Sequence, residues 1–192
     1  MTTPRILAFA GSTRSGSFNK LLVQNAAEAA KQAGAEVTVV DLKDFDLPLF
    51  DEDIEATGTP AGATRLKQLF IDHDALLIAS PEYNSSVSAV LKNAIDWVSR
   101  SALGEPMKAA FLGKVAVLLA ASPGGLGGLR GLVHLRSILQ NISVMVLPDQ
   151  FALGKAHEAF DQQGVLTDEQ AIKTVKSLTE QLVTTSRKLL AD

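Results

Sequence analysis

Five short runs of apolar, β-branched-rich residues recur along the chain, at 6–10, 37–40, 75–79, 115–120 and 144–147. They read as continuous hydrophobic segments, the pattern of strands buried on both faces. Helical patterns lie between them. Residues 20–33 carry Leu21, Leu22, Ala26, Ala29 and Ala30 and end at Gly34, where a C′ glycine belongs. Residues 87–98 place apolar side chains at 87, 90, 91, 94, 95 and 98, a stripe of period 3.6, with Ser85 or Ser86 as its cap. Residues 129–139 follow the fourth strand, and 168–190 close the chain behind Thr167 as N-cap. Strands alternating with helices imply right-handed crossovers and a parallel sheet covered on both faces. Five strands fit a doubly wound α/β fold of strand order 2-1-3-4-5 and are too few for a closed eight-stranded barrel. Ligands in such sheets bind beyond the carboxyl ends of the strands, near the switch between strands 1 and 3. The loops that matter are therefore those after Ala10, Ala79 and Ala121.

Composition narrows the reading. At 192 residues with no repeat, low-complexity tract or linker, the chain is expected to form one domain over residues 1–192. No apolar run approaches the length of a membrane span, and the N-terminal residues lack the features of a secretory signal, so a cytoplasmic protein is expected. A net charge of −3 without any polybasic patch argues against nucleic-acid and membrane partners. There is no cysteine, which removes disulfides, thiolate metal sites and the thiol phosphatases that use this fold region. The three histidines are too scattered for a metal site. The acidic stretch 41–55 lacks the glycine of a calcium loop and reads as a solvated loop, with Pro48 and Phe50 near the pocket.

The first loop, "GSTRSGSFN" at 11–19, opens a helix with small residues, hydroxyls and one arginine. Backbone amides at a helix start, with the positive end of the dipole, suit an anion, and Arg14 can add a bidentate charge. Gly11 and Gly16 have the spacing of a nucleoside-triphosphate loop, but Ser17-Phe18 replaces its Lys-Ser/Thr pair, and no G-x-G-x-x-G is present. A terminal monophosphate of the kind FMN carries remains, beside the plainer reading of a Ser/Gly turn capped by Ser17 or Asn19. The second loop, 80–86, holds Pro81, Glu82, the chain's only tyrosine and Asn84. A turn and cap account for its Pro and Ser but not for Glu82 or Tyr83; a planar heterocycle with a polar rim would account for both.

The segments "GSTRSGSFN", "LPLFDED", "PEYNSSVSAVLKNAIDW" and "SPGGLGGLRG" fall in the order and spacing of the NADPH-dependent FMN reductases. This flavodoxin-like group includes chromate and quinone reductases and some azoreductases, and the sequence resembles it over roughly residues 4–150. The resemblance implies that Ser12, Arg14, Ser17, Phe18 and Asn19 hold the FMN phosphate and ribityl chain. It implies that Pro81, Glu82, Tyr83 and Asn84 border the isoalloxazine ring, and that Ser122, Gly124 and Gly125 approach its other edge. No catalytic side chain is implied. Hydride would pass from NADPH or NADH through flavin N5 to a quinone, azo, flavin or metal-oxyanion acceptor in a ping-pong cycle. Relatives also imply a homodimer or a tetramer, with Arg130 and Arg136 as contacts across the interface or with the nicotinamide phosphate, or as ordinary surface arginines. A flavodoxin-type electron carrier and a domain that has lost its flavin are the competing readings.

Overall fold

The computed structural model describes residues 2–101 and 104–191. In chain order the elements are β1 (Arg5–Ala10), α1 (Phe18–Gln32), β2 (Glu36–Asp41), α2 (Glu52–Thr57) and α3 (Ala61–Asp72). Then come β3 (Ala75–Ala79), β4 (Glu82–Tyr83), β5 (Ser86–Val87), α4 (Ala89–Ser99) and β6 (Val115–Ala121). The chain ends with α5 (Leu129–Asn141), β7 (Met145–Val146), β8 (Phe151–Leu153) and α6 (Glu169–Leu189). The main sheet runs β2-β1-β3-β6-β7, with β8 also on β6, and every pairing in it is parallel.

The strands β1, β3 and β6 are almost uniformly apolar because each face meets a helical layer; the edge strand β2, expected to be buried on both faces, instead carries Glu36, Thr38 and Asp41 and leaves Val39 exposed. Ile6, Ala8, Ala10, Leu77 and Val117 point to the α1 and α6 side, while Leu7, Phe9, Ile78, Ala116 and Leu118 point to α3, α4 and α5. Small side chains on the first face let the alanines of α1 sit close; Phe9, Phe70 and Phe111 fill the second. Each buried Leu, Ile or Phe contributes roughly 1.5–3 kcal/mol. The helix α1 ends as its glycine predicts: Gly34 has φ +90°, and Ala35 and Gly34 donate to the carbonyls of Ala30 and Lys31. Arg187 of α6 donates to the carbonyls of Ala33 and Gly34.

The fold class is the one expected, and several details differ: the stretch 41–55, expected to be a solvated loop, buries Leu42 and Phe45 and runs into α2, and α3 is a helix beyond those expected. The fifth strand is two short strands, β7 against the start of β6 and β8 against its end, because Pro148 cannot donate to a ladder. Arg136 closes the break by donating to the carbonyls of Val146, Leu147 and Pro148 and to Gln150. Residues 82–87 form the hairpin β4–β5, so Ser88, rather than Ser85 or Ser86, caps α4. The cap of α6 is Asp168, not Thr167.

Candidate functional site

Three loops meet at the carboxyl ends of β1, β3 and β6. In the first, the amides of Thr13, Ser15 and Gly16 have no protein acceptor among the described residues. Ser12, nearly buried, accepts from the Arg14 amide at 3.3 Å, and Ser17 caps α1 through the Lys20 amide at 3.4 Å. The Arg14 side chain is exposed and makes no ion pair among the described residues. Lys20, on the first turn of α1, is drawn away by Asp41 at 2.6 Å. Burial alone would raise the Asp41 carboxyl, but Lys20 and the Lys43 amide hold it below the usual carboxylate range. Phe18 turns into the protein and stacks on Phe160. Asn19 is buried, and its carboxamide exchanges two 2.9 Å hydrogen bonds with the backbone N–H and C=O of Ala121.

The second loop is the tight hairpin. Asn84 and Ser85 have φ of 51° and 64°, the pair of left-handed residues that a two-residue turn of this hand requires, which is a backbone reason for Asn at position 84. Pro81 is buried, and Tyr83 is half exposed on β4. The Glu82 carboxylate turns toward α5. One oxygen accepts from the amides of Arg130 (2.9 Å) and Gly131 (3.1 Å); the other accepts from the Arg130 guanidinium at 2.8 and 2.6 Å. Burial would raise this carboxyl, but the Gly131 amide and the Arg130 guanidinium and amide together hold it below the usual range.

The third loop sorts its glycines into two kinds. A Cβ at Gly127 would lie 2.6 Å from the Ala152 backbone, and one at Gly128 would lie 2.9 Å from the Ala120 side chain; both have positive φ. These two are fixed by the protein's own packing. A Cβ at Gly125 would meet nothing, and one at Gly124 only Ser122 Oγ at 3.7 Å. The space before Gly124 and Gly125 is open, and a cleft of about 470 Å³ lies there, lined also by Asn84, Ser85, Ser122 and Arg130. A second cleft of about 700 Å³ lies on the other side of the first loop, between Thr13, Arg14, Lys43, Pro48 and Asn93.

The loops are tied pairwise. Ser88 Oγ donates to the Gly11 carbonyl at 2.6 Å, joining the second loop to the first. Asn19 joins the first to the third. Glu82 joins the second to the third. Ser88 is the residue that sequence reasoning missed; a serine two positions before Val90, a cap type directly ahead of the helix, was the available signal. The acidic loop is pinned to α4, where Asn93 and Trp97 both donate to the Pro48 carbonyl and Arg100 pairs with Glu55. The histidines have local partners: His73 bridges Leu69 and Thr38, His134 meets Ser86, and His157 sits by Glu158.

This arrangement fits a flavin mononucleotide: bare amides and a free guanidinium at one end, and a cradle without side chains at the other. No helix among the described residues is long and apolar enough to cross a membrane. The family model described as NADPH-dependent FMN reductase matches residues 4–158. An NAD(P)H-dependent FMN reductase of Pseudomonas aeruginosa is 37% identical over 186 residues, covering 96% of both chains. A quinone reductase of Escherichia coli is 35% identical over 182 residues, covering 93% of this chain and 91% of its own. The solved structure of a flavoenzyme NAD(P)H:(acceptor) oxidoreductase from Paracoccus denitrificans superposes with a TM-score of 0.82 at 28% identity, over 97% and 98% of the two chains.

Proposed function

Because the chain belongs to the NADPH-dependent FMN reductase family and is a flavin-dependent NAD(P)H oxidoreductase, we propose that it reduces quinones or free flavin, and by extension azo or metal-oxyanion acceptors, in a ping-pong cycle. FMN, when bound, supplies two-electron chemistry at ring N5. The residues present do the holding. The open amides of the first loop, with Arg14, bind the phosphate as charge-assisted donors. Ser12 and Ser17 shape that loop, Phe18 anchors it in the core, and Asn19 ties it to β6. Pro81, Tyr83 and Asn84 present the hairpin backbone to one edge of the ring site. Ser122, Gly124 and Gly125 bring bare backbone to the other edge.

The observation that carries this reading is a first loop with amides free of protein acceptors, tied through Asn19 to β6 just before a third loop that has two open glycines. A bound ring with one exposed face would take donor and acceptor in turn on that face, which is a ping-pong cycle. Exposed Leu126, Leu129 and Val133 beside the cleft support a homodimer in which a second copy covers them. Sedimentation at micromolar concentration tests that dimer, and a pure monomer would exclude it.

The test of function is the visible spectrum of the purified protein, repeated anaerobically with NADPH. Flavin bands that bleach and recover on adding a quinone support the proposal. A yellow protein that NADPH does not bleach would make it an electron carrier instead. Initial rates at several fixed quinone concentrations should give parallel double-reciprocal lines; intersecting lines would rule out the ping-pong order.

A further inference from the structure

We infer that Glu82 is a positioning residue whose carboxylate fills the anion site at the start of α5, so that of the starts of α1 and α5 only that of α1 is left open to an anion. This rests on the FMN reading above and adds the reason why the cofactor lies one way round. The helix α5 is 13 residues long, and its N-cap, Gly128, has no side chain to offer. Its first turn also carries no acidic residue of its own. Left alone, that helix would present bare amides and a positive dipole end, as α1 does. Glu82, 48 residues earlier in the chain, supplies the missing cap from β4. Its side chain is 8% exposed, and its two oxygens together accept from four donors on α5.

Two consequences follow. A phosphate arriving at the cleft finds one helix start already holding a carboxylate and the other open, so the phosphate goes to the first loop and the ring to the hairpin and glycine loop. The clasp also makes the two ring walls one body, since Gly131 lacks the Cβ that would meet Glu82 and the Ser86 carbonyl at 3.2 Å. Without the clasp only a fraction of molecules would hold both walls in place, and the apparent affinity for FMN would fall by that fraction.

The test uses the full-length, flavin-free protein. Inorganic phosphate is titrated while backbone amide NMR signals are followed, for the wild type, Glu82→Ala and Glu82→Gln. In the wild type, phosphate should move amides within 12–19 and leave Arg130 and Gly131 unmoved. In Glu82→Ala, phosphate should move Arg130 and Gly131 as well, and the hydrogen exchange of those two amides should rise. FMN affinity in Glu82→Ala should fall about ten- to a hundredfold, and Glu82→Gln should fall between it and the wild type. Wild-type phosphate binding at Arg130 and Gly131, or a Glu82→Ala variant whose α5 start neither exchanges faster nor binds phosphate, would overturn the inference. If Glu82→Ala does not fold, Arg130→Ala keeps the amide cap and loses the guanidinium fork. It should weaken FMN about threefold with the α5 amides still protected; unprotected amides there would contradict the assignment. A wild type that binds no FMN at all would sink the functional reading while leaving the exchange and phosphate results to judge the clasp by themselves.

Discussion

The starts of α1 and α5 stand at the same edge of the same sheet, and they are finished in opposite ways. At α1 the cap is a serine with a long 3.4 Å bond, the first turn has no acid, and the one nearby guanidinium, Arg14, pairs with nothing among the described residues. At α5 a carboxylate from a distant strand sits on the second and third amides and on Arg130. Polar groups at helix starts are readily satisfied internally, so a loop with free amides and only a long serine cap at a ligand edge is informative where a fully clasped start is not. On the proposed reading, the phosphate goes to the open end and the ring to the other.

The largest effect is expected where the open end is reversed. Arg14→Glu should weaken FMN binding about a thousandfold, a charged bidentate contact being lost and a repulsion gained, while the flavin-free melting temperature stays unchanged because Arg14 is exposed. Flavin-fluorescence titration and calorimetry of the flavin-free protein check both halves. Next comes the tie between the first and third loops. Asn19→Ala strands the buried N–H and C=O of Ala121 and should cost about 2–3 kcal/mol, or roughly 5–10 °C in melting temperature. Thermal unfolding within 2 °C of wild type would mean that water replaces the carboxamide without loss.

The glycines sharpen the contrast further. Gly127→Ala forces a Cβ into the Ala152 backbone at positive φ and should destabilise the flavin-free protein by about 2 kcal/mol. Gly125→Ala meets nothing in the protein and should leave its stability within about 0.5 kcal/mol, yet weaken FMN about tenfold because the added methyl enters the ring space. Paired melting and binding measurements on the two variants separate packing glycines from ligand glycines.

The smallest expected effect is with pH. Glu82 and Asp41 both have carboxyls held below their ordinary values in the fold. The unfolded chain therefore binds protons first as pH falls, and the stability these groups contribute is fully present above their ordinary carboxylate values and is lost as pH falls from those values down through the lowered folded ones. Acid titration of the melting temperature should show that loss in the wild type and a shallower one in Glu82→Gln. Equal slopes would place the acid sensitivity elsewhere.

Much of this was legible in the sequence, and the rest was hidden for physical reasons. Strands buried on both faces announce themselves as unbroken apolar runs, and the switch point then places the loops. The helix α3 escaped because its core face is spelled with Gly62 and Lys67. Gly62 sits against the Phe45 carbonyl, where a Cβ would lie at 1.6 Å, and buried Lys67 pairs with Glu105. The hairpin β4–β5 has two residues per strand, too short for any period. Asn19 and Glu82 drew notice as polar residues beside a ligand edge, but their partners lie 102 and 48 positions away, and no local pattern encodes them.

The most direct measurement compares the binding of FMN and riboflavin to the flavin-free wild type. The two share the ring and ribityl chain and differ in the phosphate alone. If the open start of α1 is the phosphate site, FMN should bind at least about a hundredfold more tightly, and Arg14→Glu should remove most of that advantage. Equal affinity for the two, or a preference for FMN that survives Arg14→Glu, would contradict the account.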